Sequence, residues 1–369
     1  MSRFVRRKTL LSLLCACFLM IAFKMPVIAS EQDRMAAEAN ANTVSVMSGT
    51  AASTYFRTGS DLAIVLDEEG KLRVLNVQGR GAIQNGYDVL LLRGVDIGFV
   101  TFDTFEVMKA DKRLRGVERQ LAYIARLFNN DVHILAKTDI TDIRQLAGQK
   151  VSFDIVGSGA NYSGRQIFKH LAIEVEGLNI DQDSALAMLR KGEIAAIVSV
   201  AAKPVRFLGE IKPDSGLHFV SIPYSDALGA NYSPITITDK DYPALVPADE
   251  TVEAVGVGTI MAVYNWKKGT DRYDRIARFV DAFFSKFDQF QKPGRHPKWK
   301  EVNLNATVPG WIRFQAAQEW LERNKVPATA AAATVKTAKP VDDSKYINAF
   351  DKFLKERNAD ATPATATAE

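Results

Sequence analysis

The side chains best suited to chemistry are few and scattered. The four histidines, His133, His170, His218 and His296, show no metal-ligand spacing among themselves, and no His-Glu-x-x-His occurs. His170 and Glu174 fall one helical turn apart, a spacing commoner in surface contacts than in zinc sites. No Gly-x-Ser-x-Gly elbow presents a serine nucleophile. The carboxylate runs Asp67-Glu68-Glu69 and Asp342-Asp343 fall in turn or tail segments and read as solvated. No catalytic residue, metal ligand or cofactor is therefore expected.

Two turns remain that could hold a ligand. Gly157-Ser158-Gly159-Ala160-Asn161 lies between a strand predicted over 151–155 and a helix predicted from Ser163. Backbone N–H groups and the helix dipole at such a place attract an anion. Without a Gly-Lys-Ser/Thr ending, the turn suits a small carboxylate better than a nucleotide, although glycine there can equally serve geometry alone. Ser48-Gly49-Thr50 with Ser53-Thr54-Tyr55 is a second hydroxyl-rich turn at a helix N-terminus. One turn in each half of the chain is what a cleft between two lobes requires. Gly79-Arg80-Gly81 followed by Gly86 misses the dinucleotide spacing.

The elements that must position these turns alternate. Strands are predicted at 43–47, 72–77, 96–100, 121–128, 133–137, 151–155, 195–200, 218–221 and 255–264. Helices are predicted at 55–66, 83–92, 163–172, 184–191 and 271–291. This is an α/β pattern with mainly parallel sheets. In the last helix Ile276, Phe279, Val280, Phe283, Phe284 and Phe287 keep the i, i+3, i+4, i+7 spacing of a core stripe, and Thr270 can cap it. Arg295-His296-Pro297-Lys298-Trp299-Lys300 could dock a partner, but a structural loop pinned by Trp299 and Trp311 is the expectation.

The ends of the chain differ from its middle. Arg3, Arg6, Arg7 and Lys8 precede an apolar run from Leu10 to Phe23, and Val27-Ile28-Ala29 offers a cleavage site, so residues 1–29 read as a secretory signal peptide. The chain has 47 basic and 43 acidic residues, and five of the basic ones lie in residues 1–29, so the rest carries about −1. That balance gives no argument for nucleic acid as a partner. Cys15 and Cys17, the two cysteines of the chain, would leave with the signal. Residues 30–42 read as a flexible lead-in, and the Ala/Thr/Pro-rich residues 326–369 as a disordered tail with a possible short helix over 344–357.

Several motifs occur together in an order that resembles the TAXI group of TRAP-transporter solute receptors, over about 43–321. Ser53-Thr54-Tyr55-Phe56-Arg57-Thr58-Gly59 is similar to that family's Gly-Thr-Tyr-Tyr-x-x-Gly segment, with serine for the first glycine. Ile83-Gln84-Asn85 and Gly94-Val95-Asp96-Ile97-Gly98 resemble its serine/asparagine helix and Gly-x-Asp-x-Gly strand. Thr101-Phe102-Asp103 stands at the family's Gln-Ser-Asp, and Ala160 where threonine is commoner after Gly157-Ser158-Gly159.

The resemblance implies a two-lobed type II periplasmic-binding fold with a hinge. Lobe one would be 43–136 and 258–325, and lobe two 137–257, with crossings near 137–145 and 248–257. It implies a periplasmic receptor that captures a small anionic metabolite, an amino acid such as glutamate or an organic acid, and delivers it to a TRAP-type membrane permease. The expected ligand residues are Thr50, Ser53, Thr54, Tyr55, Gln84, Asn85, Thr101 and Asp103 from lobe one, and Ser158, Gly159, Ala160, Asn161 and Ser199 from lobe two. Asp103 could accept a ligand amine or cap a helix from Thr104, and Tyr55 could stack on the ligand or belong to the core. The alternatives are a receptor serving a signalling protein and, less favoured, an enzyme on the same fold.

Overall fold

The computed structural model describes residues 30–325 and 342–360. The signal peptide expected over 1–29 and the tail stretches 326–341 and 361–369 lie outside the described residues. Residues 31–41, expected as a flexible lead-in, form a helix of their own, α1 (Glu31–Ala41), with no buried residue. Ser30 and Asp33 close its first turn by exchanging side-chain and backbone hydrogen bonds.

From Asn42 onward the chain is one compact unit built on an eleven-stranded sheet. The strands are β1 (Thr43–Met47), β2 (Arg73–Val77), β3 (Ile97–Thr101), β4 (Leu121–Lys137), β5 (Lys150–Ser152), β6 (Glu176–Leu178), β7 (Ala196–Ala201), β8 (Leu217–Phe219), β9 (Tyr232–Thr238), β10 (Thr251–Tyr264) and β11 (Ile312–Arg313). Their main order is β2-β1-β3-β10-β4-β7-β5-β6. The outer trios β2-β1-β3 and β6-β5-β7 are parallel, as the alternating pattern implies. Every antiparallel pairing involves one of the long strands β4 and β10, which run antiparallel to each other through the middle.

Two parallel trios sharing one pair of long strands make the two-lobed type II periplasmic-binding arrangement. Lobe one is the half built on β2-β1-β3, and lobe two the half built on β7-β5-β6. β4 changes neighbours near Asp131, which faces both Gly256 on β10 and Ala201 on β7. That is earlier than the crossing expected near 137–145, because the stretches 121–128 and 133–137, read as separate strands, run as one.

Helices cover the trios. In lobe one, α2 (Thr54–Leu66) follows β1 and α3 (Ala82–Leu91) follows β2, and α4 (Thr104–Ala110) follows β3. In lobe two, a π-helical turn at Ala160–Gly164 leads into α5 (Arg165–His170), and α6 (Gln182–Lys191) precedes β7. α7 (Asp271–Ser285) then returns to lobe one, with Thr270 Oγ1 accepting the Tyr273 N–H and Asp271 and Asp274 in the first turn. Its Ile276, Phe279, Val280, Phe283 and Phe284 are buried in the core beneath β1 and β3, so the stripe is packing and not a ligand groove.

The loop at 295–300 is likewise structural. Trp299 is fully buried, Lys298 and His296 nearly so, and Trp311 packs with its ring tilted, 4.3 Å from that of Phe105.

The tail departs most from expectation. α8 (Gln315–Arg323) ends lobe one, and after the tail stretch that lies outside the described residues comes α9 (Ser344–Asp360), a helix longer than the one expected. It is packed rather than solvated: Phe350 is 1 % exposed, and Tyr346, Ile347, Phe353 and Leu354 lie against the same core. The apolar residues recur at one-turn spacing, and that stripe outweighs the Ala/Thr/Pro composition on either side.

Candidate functional site

A cleft of about 370 Å³ opens where the two lobes meet. Its lobe-one wall begins with the turn after β1. Ser53 caps α2, its Oγ accepting the Phe56 N–H at 3.2 Å. The first amides of any helix lack intrahelical partners, so those of Thr54 and Tyr55 are left at the cleft end. Gly49 is required here, since a Cβ would stand 2.3 Å from Ser53 Oγ. Tyr55 is largely buried, lies 5.5 Å from the Phe99 ring, and accepts from Asn130 Nδ2 at 2.8 Å. Burial raises its phenol well above the ordinary range, so it stays a neutral donor. Tyr55 thus serves core and cleft together.

The lobes touch directly around this space. Thr54 Oγ1 donates to the Ala202 carbonyl at 3.2 Å, and the Gln84 N–H donates to the Gly157 carbonyl at 3.2 Å. Gly81, at φ 119°, takes a backbone twist that favours glycine and faces Ser158, whose Cα would lie 3.4 Å from a Cβ there. On the lobe-two wall Ser158 Oγ accepts the Asn161 N–H at 3.1 Å.

Of the expected residues, the structure brings Thr50, Ser53, Thr54, Tyr55, Ser158, Gly159, Ala160 and Ser199 to the cleft. Five others sit behind it. Asn85 Nδ2 donates to the carbonyls of Ser48, Phe99 and Met47 at 2.8, 2.7 and 3.3 Å, tying β1 to β3. Gln84 Nε2 donates to Asp88 at 2.7 Å. Asn161 Nδ2 is held by Asn179 Oδ1 at 2.8 Å and the Asp154 carbonyl at 3.2 Å. Thr101 and Thr104 share a buried hydrogen bond of 2.9 Å. Asp103 stands at the N-cap position of α4 but makes no capping bond. Its Oδ2 instead accepts Tyr232 Oη of lobe two at 2.9 Å, and burial raises its carboxyl above the usual range.

The charged lining was not visible in the sequence. Arg80 comes from the turn set aside for its wrong dinucleotide spacing, and its guanidinium lies 4.8 Å from the Phe353 ring. An arginine between two glycines just before a helix was the available signal. Asp154, Asp181, Asp183, Arg206 and Glu210 line lobe two. Asp154 has a left-handed backbone, φ 62°, and burial pushes its carboxyl up to about 6. Asp181 caps α6, accepting the Ser184 N–H at 3.0 Å. Among the described residues lining the cleft there is no histidine, cysteine or lysine.

Residues 46–310 match the sequence profile of the NMT1-like family. No curated protein matches the chain. Among solved structures the chain is similar to MatC (Rpa3494) from Rhodopseudomonas palustris with bound malate, at 15 % identity and TM-score 0.48, covering 76 % of this chain and 97 % of that one. It is also similar to the periplasmic binding protein BugD, at 11 % identity and TM-score 0.46, over 86 % and 98 % of the two chains. A third is an amino acid ABC transporter substrate-binding protein from Streptococcus pneumoniae bound to L-arginine, at 13 % identity and TM-score 0.40, over 73 % and 98 %.

Proposed function

This chain belongs to the NMT1-like family, and from that premise we propose that it is a periplasmic solute receptor that closes on a small metabolite. The receptor is exported by the signal at 1–29 and delivers its solute to a TRAP-type permease in the manner of the TAXI group. The observation that carries this reading is the cleft, walled by both lobes and lined with hydrogen-bonding groups. Two of its three serines accept backbone amides, Ser53 Oγ from Phe56 and Ser158 Oγ from Asn161, and Ser199 lines it as well. Such a set can orient a ligand.

The distribution of charge narrows the ligand class. On lobe one, the free amides of α2 and the Arg80 guanidinium favour a carboxylate. On lobe two, the acids Asp154, Asp181, Asp183 and Glu210 outnumber Arg206 and favour an ammonium group. A compact amino acid carries both, whereas a dicarboxylate would set its second charge against those acids. Closure would then be driven by ligand contacts to both walls.

A thermal-shift screen of amino acids and dicarboxylates tests this. An amino acid at 100 times its Kd raises stability by about 2.7 kcal/mol, and Arg80→Gln weakens binding at least about tenfold while the protein still folds. A shift with no ligand of either class overturns the reading.

The Asp154 carboxyl adds a pH dependence. Below about pH 6 it is neutral, and above that it presents a negative charge to the ligand ammonium. Amino-acid affinity measured by calorimetry therefore rises between pH 5 and 7 and then levels off. Affinity that falls over that window would point to a dicarboxylate.

A further inference from the structure

Helix α9 lies across both lobes, and its two ends are held by different ones. At the start, Asp343 accepts from Gln166 Nε2 at 2.7 Å and from Tyr162 Oη at 3.1 Å, both in lobe two. Lys169 Nζ donates to the Asp342 carbonyl at 2.8 Å, and the Tyr346 ring lies 4.9 Å from that of Tyr162. Further along, the helix belongs to lobe one. Phe350 packs 4.9 Å from Tyr87 on α3, Asp351 pairs with Arg113, and Phe353 lies under the Arg80 guanidinium at 4.8 Å. Between these ends, the Phe350 ring sits at the interlobe contact itself, where a Cβ on Gly157 would come within 3.4 Å of Phe350 Cε2.

We propose that α9 is a strap that clasps the two lobes beside the cleft and sets how readily they part. The parts that would separate on opening are Tyr162 and Gln166 on one side and Tyr87 and Arg113 on the other. A helix fastened to all four must release one end before the lobes can move. Both ends combine polar and aromatic contacts. The lobe-two end joins the buried hydrogen bonds of Asp343 to the Tyr346–Tyr162 ring contact, and the lobe-one end joins the Phe350–Tyr87 ring contact to the Asp351–Arg113 pair. Loss of the Asp343 bonds therefore loosens the hold on lobe two while the hold on lobe one stays. Because Phe353 lies against Arg80, docking of the strap also fixes a cation of the cleft wall. The inference goes beyond solute capture, since it concerns lobe motion whatever the cleft holds.

The interlobe bond from the Gln84 N–H to the Gly157 carbonyl reports this motion directly. Its exchange with deuterated solvent, measured by NMR on the full chain without added solute, should accelerate about tenfold or more in Asp343→Ala. The amide of Val46, inside β1 of lobe one, should keep its protection. Small-angle scattering should show a larger radius of gyration for the same variant. Gln166→Ala removes a partner of the same carboxylate from the other side and should act in the same direction, which guards against a folding defect peculiar to one variant. Unchanged Gln84 exchange and radius in both variants would overturn the strap. So would a parallel loss of protection at Val46, because α9 would then be only part of the lobe-one core. No readout uses a ligand, so failure of the solute reading leaves this result standing.

Discussion

Replacing Lys298 with methionine should destabilise the protein by about 3–5 kcal/mol, a fall in Tm of roughly 10 °C. The lysine is 4 % exposed, and its Nζ lies 3.1 Å from Asp131 Oδ2 and 2.9 Å from Glu301. Burial alone would lower the ammonium, but the Asp131 carboxylate and Glu301 hold it above its ordinary range. Asp131 is fully buried on β4 where that strand changes neighbours, and its Oδ2 also accepts the Lys203 N–H at 2.8 Å. One carboxylate thus joins the crossing strand, the loop after β7 in lobe two and the turn Pro297–Glu301 in lobe one. Without the lysine it is a buried charge lacking its cation. The second substitution Asp131→Asn should then restore much of the loss, because a neutral amide costs less to bury. Melting curves of the single and double variants decide this. A single variant as stable as the parent would show that the pair anchors nothing.

Trp299→Ala should cost a similar 3–5 kcal/mol for a separate reason. The indole is fully buried, with the rings of Phe290, Phe128, Phe283 and Phe287 between 4.6 and 6.3 Å away. Its Nε1 donates to Asp61 Oδ2 at 2.8 Å, and the same oxygen accepts the His296 N–H at 2.9 Å. Alanine leaves a cavity lined by rings that cannot collapse together, and it removes a donor from a buried carboxylate. Trp299→Phe separates the two effects, since it fills most of the volume but supplies no donor. Urea unfolding should place it between the parent and the alanine variant. Equal losses for phenylalanine and alanine would assign the whole effect to the Asp61 bond.

The residues that were legible are those whose neighbours in sequence are also their neighbours in space. The Ser53 cap, the apolar stripe of α7 and the strand–turn–helix units are local, and β1, as an alternating run, and β3, as a buried one, read directly. β4 was read as two strands because Asn129-Asn130-Asp131 breaks its apolar run. Those three are stabilised by distant partners: Ser233 for Asn129, Tyr55 for Asn130 and Lys298 for Asp131. β9, with Pro234 inside it, is not among the predicted strands and pairs along its whole length with β10. The cleft divides in the same way. Its hydroxyl turns announce themselves, whereas Arg80 and Asp154 face each other's walls only once the lobes meet. Asn85 and Asn161, chosen for their chemistry, instead have their amides engaged by backbone and by Asn179.

The two shared strands also bear on how the chain comes to be folded as it is made. Thr101 on β3 pairs with Thr259 on β10, and Gly256 pairs with Asp131, so the middle of the sheet closes only when residues beyond 250 have emerged. Until then β3 and the lobe-one part of β4 each keep an open edge, with well over half the molecule already synthesised. Pairings so distant in sequence form slowly, and open edges invite other chains. Lobe one can therefore finish only after all of lobe two has been made, and a nascent chain of this protein gains from being kept unfolded until residues beyond 250 are present.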